Sequence, residues 1–115
     1  MGVIMDKRLQ QALDFSQYMT TLNNQKRLLN EKFYEKCVFF YNGGKFTITT
    51  SLISYCKTLK YDTEIIIDDN SLPIEVDTED FTNKIIDQYT TAKQNYLDQY
   101  NQIKTKRSVE KFLNE

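Results

Sequence analysis

Carboxylates are the residues of this chain best equipped for chemistry, and they are concentrated. Between Tyr61 and Asn83 stand Asp62, Glu64, Asp68, Asp69, Glu75, Asp77, Glu79 and Asp80, half of the 16 acidic residues, with no Lys or Arg among them. The run Asp68-Asp69-Asn70-Ser71 sets four oxygen-bearing side chains in succession, the donors that hard cations take, but it lacks the spacing of an EF-hand loop and its closing Glu. Glu79 and Asp80 are adjacent carboxylates that could divide acid and base work only inside a cleft. In the first turn of a helix they complement its dipole instead. The chain contains no His, which removes the commonest general base and the commonest transition-metal ligand. Asn42-Gly43-Gly44-Lys45 has neither the spacing nor the following Ser or Thr of a phosphate-binding loop. Cys37 and Cys56 each lie among apolar neighbours and read as small buried hydrophobes in a reducing compartment. The expectation is a protein that is not an enzyme, with no catalytic, cofactor-binding or metal-ligating residues.

The composition sets the frame around these residues. A chain of 115 residues makes one domain with a modest core, marginal if its shape is extended. A net charge of −1 gives no global drive toward nucleic acid or an anionic membrane. Seven Phe and eight Tyr without Trp make the chain aromatic-rich, and one Pro with three Gly excludes a loop-rich or collagenous polymer. No apolar run approaches the length of a membrane span. Residues 1–5 read as a frayed leader too short for a signal peptide, and Asp6 stands where myristoylation wants Ser or Thr. A soluble, intracellular chain is expected.

Two long helical patterns bracket the chain. From an N-cap at Asp6 to Lys36, the apolar seam Ala12, Phe15, Met19, Leu22, Leu29 and Phe33 advances by threes and fours, interrupted at Lys26. Lys26 either fixes register or snorkels at the seam edge. From Thr78 to about Arg107, Phe81, Ile85, Ile86, Tyr89, Ala92, Tyr96, Leu97, Tyr100 and Ile103 form one face. Between them, residues 37–41 and 45–49 around Asn42-Gly43-Gly44 predict a β-hairpin. Thr50 or Ser51 is placed to cap a short helix carrying Leu52, Ile53, Cys56 and Leu59. Residues 64–68 and 74–76 predict a second hairpin, with Pro73 suited to the first residue of a strand. Asp77 or Thr78 then caps the last helix. The fold class expected is α+β: two long antiparallel helices, a coiled-coil-like hairpin, capped by two short β-hairpins with a short helix between them. The division is a single domain, with residues 6–36 and 78–107 as the long helices, 37–77 as the cap and 108–115 as a tail.

Antiparallel pairing turns a nearly neutral chain into a polar rod. The acidic run falls at the capped end, and the opposite end gathers Lys7 and Arg8 with Lys104, Lys106 and Arg107, a candidate dock for an acidic or phosphate-bearing partner. In the tail, Val109, Phe112 and Leu113 share one side, so it either folds back on the bundle, continues the helix or docks into a partner groove. Tyr89, Tyr96 and Tyr100, with Tyr18 and Tyr34, suit the edge of a core or a groove that receives another chain.

Element order of this kind resembles a prefoldin subunit, which also sets two hairpins between two coiled-coil helices. The stretches Tyr41-Asn42-Gly43-Gly44-Lys45-Phe46-Thr47-Ile48, Leu52-Ile53-Ser54-Tyr55, residues 66–74 and Arg107-Ser108-Val109-Glu110-Lys111 resemble small uncharacterised proteins of contractile-tailed phages of marine cyanobacteria. That resemblance implies a virus-encoded protein made in a bacterial cytoplasm, free there or built into the virion. The function expected is non-catalytic: binding to a phage or host protein in virion assembly or on a host or phage machine. A prefoldin-like holdase and an accessory protein of phage DNA replication, recombination or transcription are the alternatives. Self-association is expected, since Leu13, Leu28, Ile86 and Leu97 flank the seam; nucleic acid is not favoured as a partner, and no membrane is expected.

Overall fold

The computed structural model describes the backbone of residues 7–113 and the side chains of residues 7–105. Along the chain come α1 (Lys7–Lys36), β1 (Val38–Tyr41), β2 (Gly44–Thr47), α2 (Thr50–Lys57), β3 (Thr63–Ile67), β4 (Pro73–Asp77) and α3 (Thr78–Leu113). This is the expected α+β arrangement of two long antiparallel helices and two separate two-stranded hairpins. The molecule measures 76 × 28 × 19 Å with a radius of gyration of 22.2 Å, where a compact domain of this length would have about 13 Å. The leader and the Asp6 cap lie outside the described residues. Of the alternatives for residues 108–115, the continuing helix is found, as α3 runs on to Leu113.

Each hairpin follows from its turn. Asn42 and Gly43 take positive φ angles of 48° and 82°, the two-residue turn whose twist matches that of the flanking strands. Gly44 therefore belongs to β2, opposite Tyr41, where it serves a second need. A Cβ built on Gly44 would sit 2.6 Å from Ile74 Cγ1, so the absent side chain is what lets β4 approach. Pro73 opens β4, as its missing N–H demands. Thr49, one residue earlier than expected, caps α2: its backbone is extended (φ −131°, ψ 163°) and its hydroxyl accepts from Leu52 N–H.

One core joins the cap. Phe81 and Ile85, in the first turns of α3, are fully buried, which contributes about 1.5–3 kcal/mol each. The Phe81 ring meets Phe46 edge-on at 4.9 Å and also contacts Phe39 and Tyr41. Ile66, Ile74 and Val76 close the core from the second hairpin, with Cys37 and Cys56 as free buried thiols. Burial pushes both thiols above their ordinary pKa, which makes them poor nucleophiles.

The helical seam holds along only part of α1. Leu22 is buried and Met19, Lys26, Leu29 and Phe33 are half-buried, but Ala12 is exposed and Phe15 is 65% exposed. Phe15 lies eighteen residues, or five whole turns, from half-buried Phe33 and so keeps the same face of the helix; its exposure is a lack of cover and not a rotation. Lys26 snorkels: its Nζ lies 6.0 Å from the centre of the Tyr100 ring.

The two hairpins share no strand pairing; carboxylates join them. Asp68, only 6% exposed, accepts from the N–H groups of Asn70 and Leu72 on one oxygen and of Lys45 on the other. Asp69 N–H donates to the Lys45 carbonyl, and its carboxylate accepts from Thr47 N–H and from the Thr47 hydroxyl at 2.6 Å. Burial raises the Asp68 carboxyl pKa, but the amides of Leu72, Lys45 and Asn70 outweigh it and hold the group below the usual carboxylate range. A depressed folded pKa stabilises the fold above the unfolded value of about 3.9, and this contribution is lost as pH falls through the folded pKa.

Two predictions follow from this geometry. In acid titrations followed by circular dichroism, Asp68→Asn should lower stability at neutral pH and flatten its fall below about pH 4; an unchanged acid limb would contradict the clamp. Gly44→Ala should cost about 1–3 kcal/mol in urea unfolding through its collision with Ile74, and Gly43→Ala should strain the turn without that collision.

Candidate interaction surface

Half of the acidic run is used in structure. Asp68 and Asp69 clamp the hairpins, and Asp77 caps α3 by accepting from Asp80 N–H at 2.9 Å. Asp80 pairs with Lys84 at 3.1 Å and accepts from the Tyr41 hydroxyl at 3.0 Å. The Lys84 ammonium and then the Tyr41 hydroxyl hold the Asp80 carboxyl low, while burial and then this carboxylate push the Tyr41 phenol up. Among the described residues, Asp62, Glu64, Glu75 and Glu79 make no side-chain hydrogen bond or ion pair, and no group of His, Cys, Asp or Glu side chains is arranged to hold a metal ion.

Of the basic candidates whose side chains are described, Lys104 stands apart from Lys7 and Arg8. Lys26 meets Tyr100 and Asn30 meets Tyr96, a four-residue step on each helix, and continuing that register sets Lys104 level with Leu22. Lys7 and Arg8 open α1, so they lie some fifteen residues, or about 22 Å, farther along the rod. Charges so separated exceed the screening length of about 8 Å in physiological salt and do not act on one ligand group. Lys7, Arg8 and Lys104 have exposed side chains, and Arg8 and Lys104 make further interactions of their own. The side chains of Lys106, Arg107, Val109, Phe112 and Leu113 lie outside the described residues, although their backbone is helical.

What the geometry does assemble is an aromatic groove on the helical pair. Phe33, Lys93, Tyr96, Leu97 and Tyr100 line a depression of about 410 Å³. Phe33 holds its floor by edge contacts with Tyr89 at 5.8 Å and Tyr96 at 5.3 Å. Lys93 stacks over Tyr89 at 5.1 Å, so the groove wall carries a cation beside apolar rings. Within it Leu97 is 50% exposed; elsewhere on the helices Leu28, Leu9 and Leu13 are exposed as well. A two-helix pair covers one side of each helix only, and among the described residues no third layer covers the rest.

Gln88 was not visible as a functional position in the sequence, yet it fixes the rod to the cap. Its Nε2 donates to the carbonyls of Lys36 and Val38, both at 2.7 Å, satisfying one of the open carbonyls at the end of α1. Its only signal was a polar residue beside the apolar face of α3.

Comparison with protein-family models, with characterised proteins and with solved structures finds no match to this chain. Among the described residues no helix is long and apolar enough to cross a membrane.

Proposed function

We propose that this chain is a non-catalytic bacteriophage protein that works by binding another protein, in virion assembly or on a host or phage machine. The motif resemblance supports the phage origin. The observation that carries the binding role is the groove of Phe33, Lys93, Tyr96, Leu97 and Tyr100, in which Leu97 is half exposed. Tyrosine-rich, half-buried grooves bearing a cation suit an amphipathic helix laid along them. A holdase is the second reading, favoured by Leu9, Leu13 and Phe15 standing exposed at the far end of the rod. Failure to slow the aggregation of a heat-denatured client protein would remove it.

The leading reading is tested by affinity capture from infected cells with Leu97→Glu and Lys93→Glu, both at exposed residues that line the groove. Each substitution should leave stability within about 0.5 kcal/mol, as at other exposed sites, while partner recovery falls about tenfold or more. Full recovery with both variants would sink the groove as the binding surface.

A further inference from the structure

Each of the two hairpins has two outer edges, and an account of their backbone groups separates one edge from the other three. In the first hairpin the Ile48 N–H bond to the Cys37 carbonyl sets the alternation, so Val38, Phe40, Lys45 and Thr47 direct their backbone groups outward. On β2 the outward N–H and carbonyl of Lys45 and the N–H of Thr47 are taken by Asp68 and Asp69. On β1 the Val38 carbonyl is taken by Gln88. In the second hairpin, Thr78 N–H bonds to the Asp62 carbonyl and Asp68 N–H to the Leu72 carbonyl. Residues 62, 64, 66 and 68 thus bond across the hairpin, and residues 63, 65 and 67 direct their backbone groups away from it. On β4 the Glu75 carbonyl accepts from Asn42 at 2.8 Å, and Pro73 has no N–H to offer. Only β3 keeps an outer edge on which no backbone group is bonded, among the described residues.

Isolated edges are blunted by Lys, Pro, bulges or inward-pointing charges. β3 has no Lys, Pro or bulge; its one charge is Glu64, half-buried on the face of Ile66, and its side chains Ile65 and Ile67 are 62% and 61% exposed. They stand opposite Glu75 and Pro73 on the outer face of the hairpin. The surroundings are acidic on balance: Asp62, Glu64 and Glu75 are unpaired, and a hollow of about 620 Å³ beside the start of the strand is lined by Asp62, Asp77 and Glu79 against the single cation Lys60. We propose that the outer edge of β3 is a docking site for an extended partner segment in which apolar residues alternate with Lys or Arg. Main-chain bonds to Thr63, Ile65 and Ile67 supply the affinity, the two isoleucines meet the apolar residues, and the carboxylates select the basic ones. A second copy is the poorer occupant. Antiparallel pairing of two β3 strands about Ile65 sets Asp62 beside Asp68 of the copy at both ends, and like charges across strands destabilise. This surface is separate from the groove on the helical pair, so either reading can fail alone.

Amide hydrogen exchange on the full chain, read residue by residue by NMR, tests it with a synthetic KVKIKVK peptide as probe. In the free protein the amides of Ile65 and Ile67 should exchange much faster than those of Glu64 and Ile66. The peptide should slow Thr63, Ile65 and Ile67 selectively, and an EVEIEVE peptide should bind about tenfold more weakly at low salt, as a few exposed charge pairs supply. Ile65→Pro removes an N–H that makes no bond within the hairpin and should abolish peptide binding. Should that variant unfold the cap, exchange in the unsubstituted chain still decides. Absence of selective slowing, or equal binding of the acidic peptide, overturns the proposal. Protection that appears without peptide and grows with protein concentration overturns it in favour of a second copy.

Discussion

The fold of the cap depends on two adjacent carboxylates. A two-stranded hairpin is marginal in water by itself, and this chain contains two that do not pair with each other. Asp68 and Asp69 make them one unit by presenting carboxylate oxygens where a fifth strand would have presented carbonyls. Charge-assisted hydrogen bonds of this type are roughly twice as strong as neutral ones. Burial of the Asp68 charge is tolerated because three backbone amides converge on it; with fewer donors the group would take up a proton instead. The same bonds terminate β2, so the clamp both joins the hairpins and decides which of their edges stay open.

The clamp orients the hairpins, and α3 supplies what they close upon. Its first turns carry Phe81 and Ile85 into the ring cluster of Phe39, Tyr41 and Phe46. Its later turns leave the cap and pair with α1 through Tyr89, Ala92 and Tyr96. Gln88 stands at the junction and bonds back to the end of α1 and the start of β1. One continuous helix is thus both core element and strut, which sets the direction of the rod relative to the cap without a hinge between them.

Features governed by local chemistry were legible in the sequence. Asn42-Gly43 named its turn, Pro73 named the first residue of a strand, and the spacing from Phe81 to Ile103 named the buried face of α3 except at Leu97 and Tyr100, which stand exposed. Features governed by register were not. The side chains that converge near Lys45 come from residues 22 or more positions away, and an Asp-Asp-Asn-Ser turn looks the same whether its oxygens face a cation, water or backbone amides. The exposure of Phe15, and the distance of Lys104 from Lys7 and Arg8 along the rod, depend on the register of one helix against the other. Spacing within either helix does not carry that. The groove at Phe33 was half legible, since the tyrosines were visible but the pairing of Phe33 with Tyr96 was not.

The surface area bears on what kind of object this is. The chain exposes 8963 Å², against about 6600 Å² for a compact monomer of its mass. The excess is about 2400 Å², well above the roughly 800 Å² that one partner contributes to an interface of standard size. An elongated shape alone explains excess area but not its chemistry. Water-facing rods are normally sheathed in charge, whereas this one leaves Leu9, Leu13, Phe15, Leu28 and Leu97 exposed along the helices and Ile65 and Ile67 along an unbonded strand edge. Exposed apolar side chains contribute little to the stability of the chain that carries them, since their burial is what stabilises. Leu97 stands in the groove, and Ile65 and Ile67 stand on the one edge of the cap where no backbone group is bonded among the described residues, while each other edge has at least one backbone group taken by a carboxylate or amide side chain.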